Sequence, residues 1–513
     1  MSNTFYVTTP IYYVNDAPHI GHSYTTIAAD VLARYNRTAG RDVYFLTGTD
    51  EHGIKMVKAA SEKTLSPKEL ADINAPHFKS LWEELNITNS DFIRTTQPRH
   101  IKRVQEMVRR LVDRGEIFLG KYEGWYDEGQ EEYVTETTAK ENDYKSAING
   151  KPLVKYSEEN WFFRLTKWTP KLIAHIEANP DFIQPAARRN EVLSKLRIGV
   201  DDLCVSRRKE KLPWGIEMPN DNNHVVYVWI DALSNYINAL GLIEVGDEYD
   251  GKFAKYWPAS VHLIGKDILW FHAVYWPCIL MALDIPLPKT VFAHGWWTSN
   301  GRKMSKSLGN FVNRETIEKY CLDYHRDVYR YYLLRAVTFG GDGDFSADMF
   351  KQIYNTELAN GVGNLLSRTI KMISKYFDGR IPAAGPAVEQ AAAVEKAATE
   401  LTQIADELMA HCAFSKYTDN VMALVTATNT FIDQTEPFRL AKDESQKPRL
   451  ATIMNTCAQA VRIVLQYLAP FMPEKTAQGL ATLGCRTGEL GKFGELPAGT
   501  AVNPGEPLFM RKQ

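Results

Sequence analysis

The stretch PHIGH, Pro18–His22, decides the fold of this chain, because it stands where a strand pattern gives way to a helix pattern. The run FYVTT at residues 5–9 is β-branched and aromatic, which predicts a buried strand. Apolar residues then recur at helical spacing over residues 20–35, and Asn15, Asp16 and Pro18 suit a helix start. Nucleotides bind at the carboxyl ends of strands in a parallel α/β sheet, and a helix N-terminus favours phosphate. The stretch therefore predicts a nucleotide site in an α/β fold.

His19 and His22 are the first candidate ligands of that site. They lie one helical turn apart, so both side chains are on one face. Gly21 between them has no side chain and lets a planar ring approach the backbone. Two imidazoles that reach a triphosphate explain the pattern, and two surface histidines at an ordinary helix start are the alternative. A metal pair is disfavoured, because no carboxylate stands between the histidines as in His-Glu-x-x-His.

A second basic pair stands far along the chain, in KMSKS at residues 303–307, after a turn signal at Asn300–Arg302. Lys303 and Lys306, with nearby hydroxyls and Gly309, suit a loop that grips phosphate, because lysine acts as a point charge against developing negative charge. Alone, a basic pentapeptide is typical of a solvated loop. Together with PHIGH it resembles the signature of the class I aminoacyl-tRNA synthetases, which activate an amino acid with ATP and pass it to tRNA.

Length and composition limit the number of domains and the class of protein. The chain has 513 residues, so we expect three or four domains. Its 44% hydrophobic and 24% charged content is that of a soluble globular protein, and a net charge of −2 leaves only a local basic face for nucleic acid. No apolar run reaches the length of a membrane span, and the first strand begins by Phe5, so we expect a cytoplasmic protein without membrane contact. The six cysteines are scattered without a Cys-x-x-Cys pair, which indicates neither a disulfide framework nor a zinc knuckle.

Further motifs extend the resemblance to the methionyl-tRNA synthetase family and through nearly the whole chain. They are TTPIYYVN at 8–15, GTDEHG at 48–53, VWIDA at 228–232, GKD at 265–267 with FH at 271–272, and HGW at 294–296. The resemblance implies a Rossmann-type parallel sheet, split by an inserted connective domain and followed by an α-helical anticodon-binding bundle. The expected division is a first half of the catalytic domain at 1–115, the connective insertion at 116–223, the second half at 224–295, the lysine loop and stem-contact region at 296–350, the helical domain at 351–475 and a C-terminal tail at 476–513.

Local patterns predict individual elements within this division. The apolar run at 225–230 predicts a strand that continues the sheet, followed by a helix over 231–239. Periodic apolar residues predict bundle helices over 355–377, 387–408, 417–434 and 447–467.

The resemblance also implies the reaction of a methionine–tRNA ligase, which activates L-methionine with ATP to methionyl-adenylate and transfers it to tRNA(Met). The methionine carboxylate attacks the α-phosphate in line and pyrophosphate leaves, with Mg²⁺ accompanying ATP. Lys306 is expected to be the main transition-state contact. The residues expected to bind ATP are His19, Gly21, His22, Gly265, Asp267, His294, Lys303 and Lys306, of which the two histidines and two lysines are the expected catalytic residues.

By the same resemblance, an aromatic-walled pocket holds the methionine side chain. Asp50 is expected to pair with the substrate ammonium; the alternative is that it caps the next helix. Tyr236 and His272 are expected to supply hydrogen bonds near the sulfur, which packs well against aromatic rings. Core packing is the alternative for Trp229 and Tyr236. The residues expected to bind methionine are Ile11, Tyr13, Asp50, Trp229, Ala232, Tyr236, Ile268 and His272.

The helical domain matches the family's anticodon reader at Asn364 and Arg368, which lie four residues apart on one helix face. A solvated helix face is the alternative. Phe438 stands where the family has a stacking tryptophan, and it lacks the indole N–H. Asp127 and Gln130 stand where many members carry Cys-x-x-Cys, so no zinc is expected. The chain stops too soon for the extra C-terminal tRNA-binding domain of some members, so we expect a monomer.

Three alternatives remain open. A class I synthetase for another amino acid is the first, although a cysteine enzyme would need zinc ligands and the large aliphatic enzymes a longer editing insertion. The second is an RNA-binding paralogue without catalysis, against which the intact histidine and lysine pairs argue. The third, a nucleotidyltransferase that uses no RNA, leaves the helical bundle unexplained.

Overall fold

The computed structural model describes residues 3–130, 132–242, 251–299, 301–304 and 311–512. In chain order, the strands are β1 (Thr4–Tyr13), β2 (Asp42–Asp50), β3 (Asp91–Arg94), β4 (Ile117–Asp127), β5 (Glu132–Val134), β6 (Val154–Phe163), β7 (Ile183–Gln184), β8 (Leu203–Cys204), β9 (Ser206–Arg208), β10 (Glu217–Met218), β11 (Asp221–Val226), β12 (Val261–Gly265), β13 (Val291–His294), β14 (Trp297–Ser299), β15 (Arg302–Lys303) and β16 (Gly343–Phe345).

The α-helices are α1 (Ile20–Thr38), α2 (Ile54–Glu62), α3 (Pro67–Glu84), α4 (Pro98–Asp113), α5 (Glu136–Glu141), α6 (Leu165–Ala178), α7 (Ala186–Ile198), α8 (Val228–Asn238), α9 (Lys252–Tyr256), α10 (Trp276–Ala282), α11 (Arg314–Tyr324), α12 (Arg326–Arg335), α13 (Ala347–Ile353), α14 (Asn364–Tyr376), α15 (Ala391–Ala410), α16 (Phe414–Thr435), α17 (Pro437–Leu440), α18 (Lys447–Leu468) and α19 (Pro473–Thr482). Lys266–Ile268 and Glu444–Gln446 form short 3-10 helices, and Phe271–Tyr275 and Tyr354–Gly363 form π-helices. No helix in the described ranges combines the length and the apolar character needed to span a membrane.

A parallel sheet forms the centre of the N-terminal half. Within the described ranges it has six strands in the order β3-β2-β1-β12-β13-β7, and every pairing between neighbours is parallel. β2 and β3 extend the sheet to one side of β1, and β12, β13 and β7 extend it to the other side. Ligands of such sheets bind in the crevice at this switch, outside the carboxyl ends of the strands. The predicted α/β class with a Rossmann-type sheet is therefore confirmed, and PHIGH follows the strand at the switch.

The chain leaves this sheet after α4 and builds an antiparallel sheet in the order β5-β4-β6-β8. At the turn after β4, the Asp127 carboxylate accepts hydrogen bonds from the backbone N–H groups of Gly129 (2.8 Å) and Gln130 (3.2 Å). An Asp side chain commonly closes a turn in this way. Residues 183–184 lie within the predicted insertion and return to the main sheet as the edge strand β7.

The predicted strand over 225–230 is wrong in its second half. β11 ends at Val226, and α8 begins at Val228. β11 also belongs to a small antiparallel sheet in the order β10-β11-β9, and not to the parallel sheet. The reason is that α8 is buried nearly all round, with Val228 and Ile230 both inaccessible to solvent, so its first turn reads as a continuous apolar run. Periodicity does not separate a buried strand from a buried helix in such a run.

Helices make up the C-terminal half, as predicted. The expected helix over 355–377 is found as a π-helix over Tyr354–Gly363 that continues into α14. The other three expected helices are α15, α16 and α18. α18 begins at the predicted residue, and the other ends differ from the predicted ends by one to four residues. α18 packs against α14, α15 and α16 and forms the centre of the bundle.

One buried guanidinium joins the bundle to the sheet. Arg330, on α12, is fully buried and donates to Asp30 Oδ2 of α1 (2.7 Å). The same side chain donates to the backbone carbonyls of Leu85 (3.1 Å), Pro470 (3.0 Å) and Phe471 (3.1 Å). A buried charge is costly unless it is paired and hydrogen-bonded. Arg330 therefore fixes α1 against the residues that precede α19.

Candidate active site

His19 and His22 form a reciprocal cap at the start of α1. The Nδ1 atom of His19 accepts the backbone N–H of Gly21 (3.1 Å), and the Nδ1 atom of His22 accepts the backbone N–H of His19 (3.2 Å). Their ring centroids are 3.9 Å apart. A Cβ atom on Gly21 would lie 3.0 Å from Cε1 and 3.2 Å from Nδ1 of His19, so glycine is what lets the His19 ring fold back over the helix start.

Both imidazoles are neutral at pH 7. Burial lowers the pKa of His19 to about 4. Burial, followed by the nearby His19, lowers the pKa of His22 well below its usual value. Because each Nδ1 accepts a backbone N–H, the proton of each neutral ring is on Nε2. The pair therefore offers two N–H donors at a helix N-terminus, an arrangement that suits phosphate oxygens.

Residues that follow the lysine loop in the chain contact this helix start directly. On one side, β15 pairs with β14, where Lys303 is opposite Thr298. On the other side, the backbone N–H of Ile20 donates to the Val312 carbonyl (3.1 Å), and the Phe311 ring centroid lies 5.1 Å from that of His19. Lys306 and the Lys303 side chain lie outside the described part of the chain.

Gly265 and His294 are partners in the ladder of β12 and β13, at the carboxyl edge of the sheet. A Cβ atom on Gly265 would lie 2.5 Å from Oδ1 of Asp267, so that carboxylate folds back onto the glycine. His294 donates from Nδ1 to the Gly295 carbonyl (2.8 Å), and its Nε2 therefore accepts from the Thr25 hydroxyl (2.6 Å). Both ring nitrogens of His294 are thus used within the protein, and the residue ties β13 to α1.

The predicted methionine-binding aromatics form one cluster. Trp229 stacks on Phe271 with ring centroids 3.7 Å apart, and the His272 ring lies 6.3 Å from that of Trp229. His272 donates from Nδ1 to the Ile268 carbonyl (3.0 Å), so its Nε2 accepts from the Tyr236 hydroxyl (2.7 Å). Burial lowers the pKa of His272 to about 4. In this arrangement the Tyr236 hydroxyl hydrogen is committed to His272, although it was expected to bond near the sulfur.

The remaining predicted pocket residues lie at the same edge. Tyr13 and Asp50 are partners in the ladder of β1 and β2, and Ala232 precedes Tyr236 by one turn of α8. Ile11, Tyr13, Trp229 and Ile268 are half-buried against one apolar core. Asp50 does not cap the next helix, because Gly53 is the N-cap of α2 and makes no side-chain cap. The eight residues therefore come from the ends of β1 and β2, from α8 and from the helical turns that follow β12.

A buried network around the end of β2 was missed by sequence reasoning. Glu51, beside Asp50, is held by the guanidinium of Arg94 at 2.6 and 3.0 Å and accepts from the hydroxyls of Thr49 (2.7 Å) and Thr96 (2.5 Å). The Glu51 carbonyl accepts from the indole of Trp214 (2.6 Å). Glu51 was inside the GTDEHG motif, but its partners are distant in sequence, and no local pattern pairs them.

A second carboxylate, Asp231, bridges two histidines. Its Oδ2 is 2.7 Å from Nδ1 of His52, and its Oδ1 is 2.6 Å from Nε2 of His100. Burial raises the pKa of Asp231, but the charge of His52 and the hydrogen bonds from both rings outweigh it, so the pKa is held below its usual value. Across the described ranges, no group of three or more His, Cys, Asp or Glu side chains is arranged to hold a metal ion. The expectation that the chain binds no zinc stays a prediction.

The predicted anticodon residues lie at one end of the bundle. Asn364 is exposed at the first position of α14. Arg368, one turn later, donates to Asp433 Oδ1 of α16 (2.8 Å). Phe438 is 49% exposed on the short helix α17, just beyond the end of α16. The surface therefore combines an amide, a guanidinium and an exposed ring.

Comparison with known proteins gives a consistent result. A family model described as "tRNA synthetases class I (M)" matches residues 5–142 and 138–370. The methionine–tRNA ligase of Caldanaerobacter subterraneus is 47% identical over 516 residues, which cover 100% of this chain and 79% of that protein. The methionine–tRNA ligase of Halalkalibacterium halodurans is 45% identical over 528 residues, covering 99% and 78%. The solved structure of Mycobacterium tuberculosis methionyl-tRNA synthetase in complex with methionyl-adenylate has a TM-score of 0.92 and 38% identity, and the match covers 100% of both chains.

Proposed function

This chain belongs to the class I tRNA synthetases of the methionine type, with the activity of a methionine–tRNA ligase, and we propose that the site described above carries out both steps of that reaction. The observation that carries the proposal is the contact of Phe311 and Val312, which follow the lysine loop in the chain, with PHIGH. This contact supports the proposal that two basic pairs, about 280 residues apart in the sequence, act together at the crevice at the switch of the parallel sheet.

The ATP side of the site is built on α1. His19 and His22 donate Nε2–H groups to the phosphates, and the first backbone N–H groups of α1 add to their effect. Gly21 leaves room for the His19 ring to fold over the helix start. Gly265 and Asp267 contact the nucleoside at the ends of β12 and β13, and His294 holds that edge against α1. Mg²⁺ enters as part of the MgATP substrate, bound mostly by phosphate oxygens and water.

The methionine side lies across β1 from the nucleotide. Asp50 pairs with the substrate ammonium and thereby fixes the direction of the carboxylate. The rings of Trp229 and His272, with Tyr13 and Ile268, surround the thioether, and each sulfur–aromatic contact contributes about 0.3–1.5 kcal/mol. A purely apolar pocket separates neighbouring aliphatic side chains by only about 1–3 kcal/mol, so rejection of leucine and isoleucine depends on shape and on polar groups near the sulfur.

The chemical step depends on positioning and charge. The methionine carboxylate attacks the α-phosphorus in line, the bond to the bridging oxygen breaks, and pyrophosphate leaves. Lys303 and Lys306 close over the leaving group and stabilise the charge that develops there. In the second step a ribose hydroxyl at the tRNA 3′ end attacks the adenylate carbonyl and AMP leaves. No side chain described here is assigned as the base, and the adenylate phosphate itself can accept the proton.

The tRNA(Met) anticodon is recognised by the end of the bundle. Asn364 supplies an amide for the Watson–Crick edge of an unstacked base, and Arg368 adds a planar donor. Phe438 stacks on a base, a contact worth about 1–3 kcal/mol for an aromatic ring. The half-exposed state of the Phe438 ring supports this role, because a core residue would be covered.

We further propose a monomer that acts in the cytoplasm, without membrane contact. All six cysteines are unpaired, which fits a reducing compartment. Size-exclusion chromatography with light scattering tests the oligomeric state.

ATP–pyrophosphate exchange across the twenty amino acids tests the proposal as a whole. Exchange should depend on L-methionine, and charging should be confined to tRNA(Met). Exchange driven by another amino acid alone would favour a different class I synthetase. Binding of tRNA without any exchange would favour the RNA-binding paralogue.

A further inference from the structure

Asp231 connects three elements that come from both sides of the connective insertion. It is 1% exposed, and its two oxygens each accept one imidazole N–H, from His52 and from His100. His52 follows β2, His100 is on α4, and Asp231 is in the first turn of α8. The same helix carries Trp229 and Tyr236. One carboxylate therefore sets the spacing between the turn with Asp50 and the aromatic wall.

Both histidines act on Asp231 as donors. His100 Nδ1 faces the side-chain amide of Asn238 (3.3 Å) and accepts from it, which places the His100 proton on Nε2, toward Asp231. His52 uses Nδ1 for the same carboxylate. Both rings are buried, so each contact is shielded from water.

The two histidines that contact Asp231 differ in their other neighbours. The backbone N–H of His52 donates to Asp50 Oδ1 at 3.4 Å, so the position of His52 bears directly on that carboxylate. The His52 ring also packs 5.3 Å from the ring of Trp214, whose indole holds the Glu51 carbonyl. His100 reaches Asp231 from α4, which is not part of the turn. The chain thus contains a matched pair of contacts to one carboxylate.

We propose that His52, anchored by Asp231, is a positioning residue that orients the Asp50 carboxylate toward the substrate ammonium and so sets the affinity for methionine. The inference rests on the proposed role of Asp50. The His100 contact holds α4 to α8 and contributes to folding, not to substrate affinity.

Four variants test this in the full-length protein: His52→Leu, His52→Asn, Asp231→Asn and the control His100→Leu. The readouts are KM for methionine and for ATP and kcat in pyrophosphate exchange, and inhibition by L-methioninol, which has the ammonium and the thioether but no carboxylate. His52→Leu should raise KM for methionine and the methioninol inhibition constant roughly tenfold or more, with KM for ATP within about twofold. His52→Asn should restore most of the affinity, because its amide N–H₂ can replace Nδ1–H. Asp231→Asn should behave as His52→Leu does, and it supplies the measurement if His52→Leu does not fold.

His100→Leu should lower the resistance to urea while leaving KM for methionine within about twofold. An equal rise in KM in His100→Leu and His52→Leu, or no rise in His52→Leu and Asp231→Asn, would overturn the inference. Asp50→Asn separates it from the proposed function. If Asp50→Asn leaves methionine affinity unchanged, the ammonium site is elsewhere, and both the inference and the proposed role of Asp50 fail. If Asp50→Asn abolishes binding while His52→Leu is neutral, only the inference fails.

Discussion

Replacing Gly21 with alanine should separate catalysis from folding. The new Cβ atom would lie 3.0 Å from Cε1 and 3.2 Å from Nδ1 of His19, so the imidazole must move by a few tenths of an ångström away from the helix start. This movement weakens the hydrogen bond from the Gly21 N–H to His19, a capping contact worth at most about 1 kcal/mol. Alanine regains about 1 kcal/mol through its higher helix propensity. The net change in the free energy of unfolding should be close to zero.

Activity should respond much more strongly. If the displaced His19 no longer donates to phosphate, the lost hydrogen bond to a charged group costs about 1.5–3 kcal/mol. That free energy corresponds to a decrease of about 10- to 150-fold in kcat/KM for ATP. Methionine-dependent ATP–pyrophosphate exchange measures this decrease, and urea denaturation measures stability.

Gly40, just beyond the other end of the same helix, is the matched control. Its φ is +79°, so alanine there is strained, although no atom lies within 4 Å of the new Cβ. Gly40→Ala should lower the free energy of unfolding by about 1 kcal/mol and leave exchange unchanged. Full exchange activity in Gly21→Ala, or a loss that matches Gly40→Ala, would refute the reasoning.

Three other predictions follow from the buried groups. Burial lowers the pKa of His19 and His272 to about 4, so the unfolded chain binds more protons than the folded chain as pH falls from 6.5 to 4. The free energy of unfolding, measured by urea denaturation, should therefore fall across that range by about 3 kcal/mol for the fully buried His272 alone. A free energy of unfolding that does not change with pH would contradict the neutral rings. Tyr236→Phe leaves a buried acceptor on His272 without its donor, so stability should fall by about 1–3 kcal/mol and KM for methionine should rise, with KM for ATP unchanged. Arg330→Met removes one of the two guanidinium partners of the buried Asp30 and leaves the backbone carbonyls of Leu85, Pro470 and Phe471 without this donor. It should cost about 3–5 kcal/mol in urea denaturation, and a loss below 1 kcal/mol would show that the guanidinium is replaceable.

The elements that sequence reasoning predicted well are those with local signals. The strand before PHIGH and helix α1 follow from composition and spacing within twenty residues, and the long bundle helices follow from their periodicity. The run at 225–230 failed, because burial on all sides removes the periodicity that distinguishes the two kinds of element. The secondary structure of this run depends on tertiary packing, which a short stretch of sequence does not reveal.

The site divides in the same way. The predicted pocket residues on β1 and β2, and those that follow β12, belong to the parallel sheet, whose strand pattern was readable. Trp229, Ala232 and Tyr236 are on α8, which follows a strand of the small antiparallel sheet, and local patterns did not predict that arrangement. The pairing of Asp231 with His52 and His100 joins residues up to 179 positions apart, so it could not be read from spacing. The tautomers of His272 and His294 were likewise unpredictable, because they depend on which carbonyl each ring meets after folding.

A double-mutant cycle tests most directly whether the histidines and the lysine loop act on one triphosphate. The variants are His19→Asn, Lys306→Ala and the two together, measured by kcat/KM for ATP in methionine-dependent exchange. If both side chains contact the same phosphates, the effects should be non-additive by about 1 kcal/mol or more. Effects that add within about 0.5 kcal/mol would mean that the two pairs act independently, and they would contradict the account.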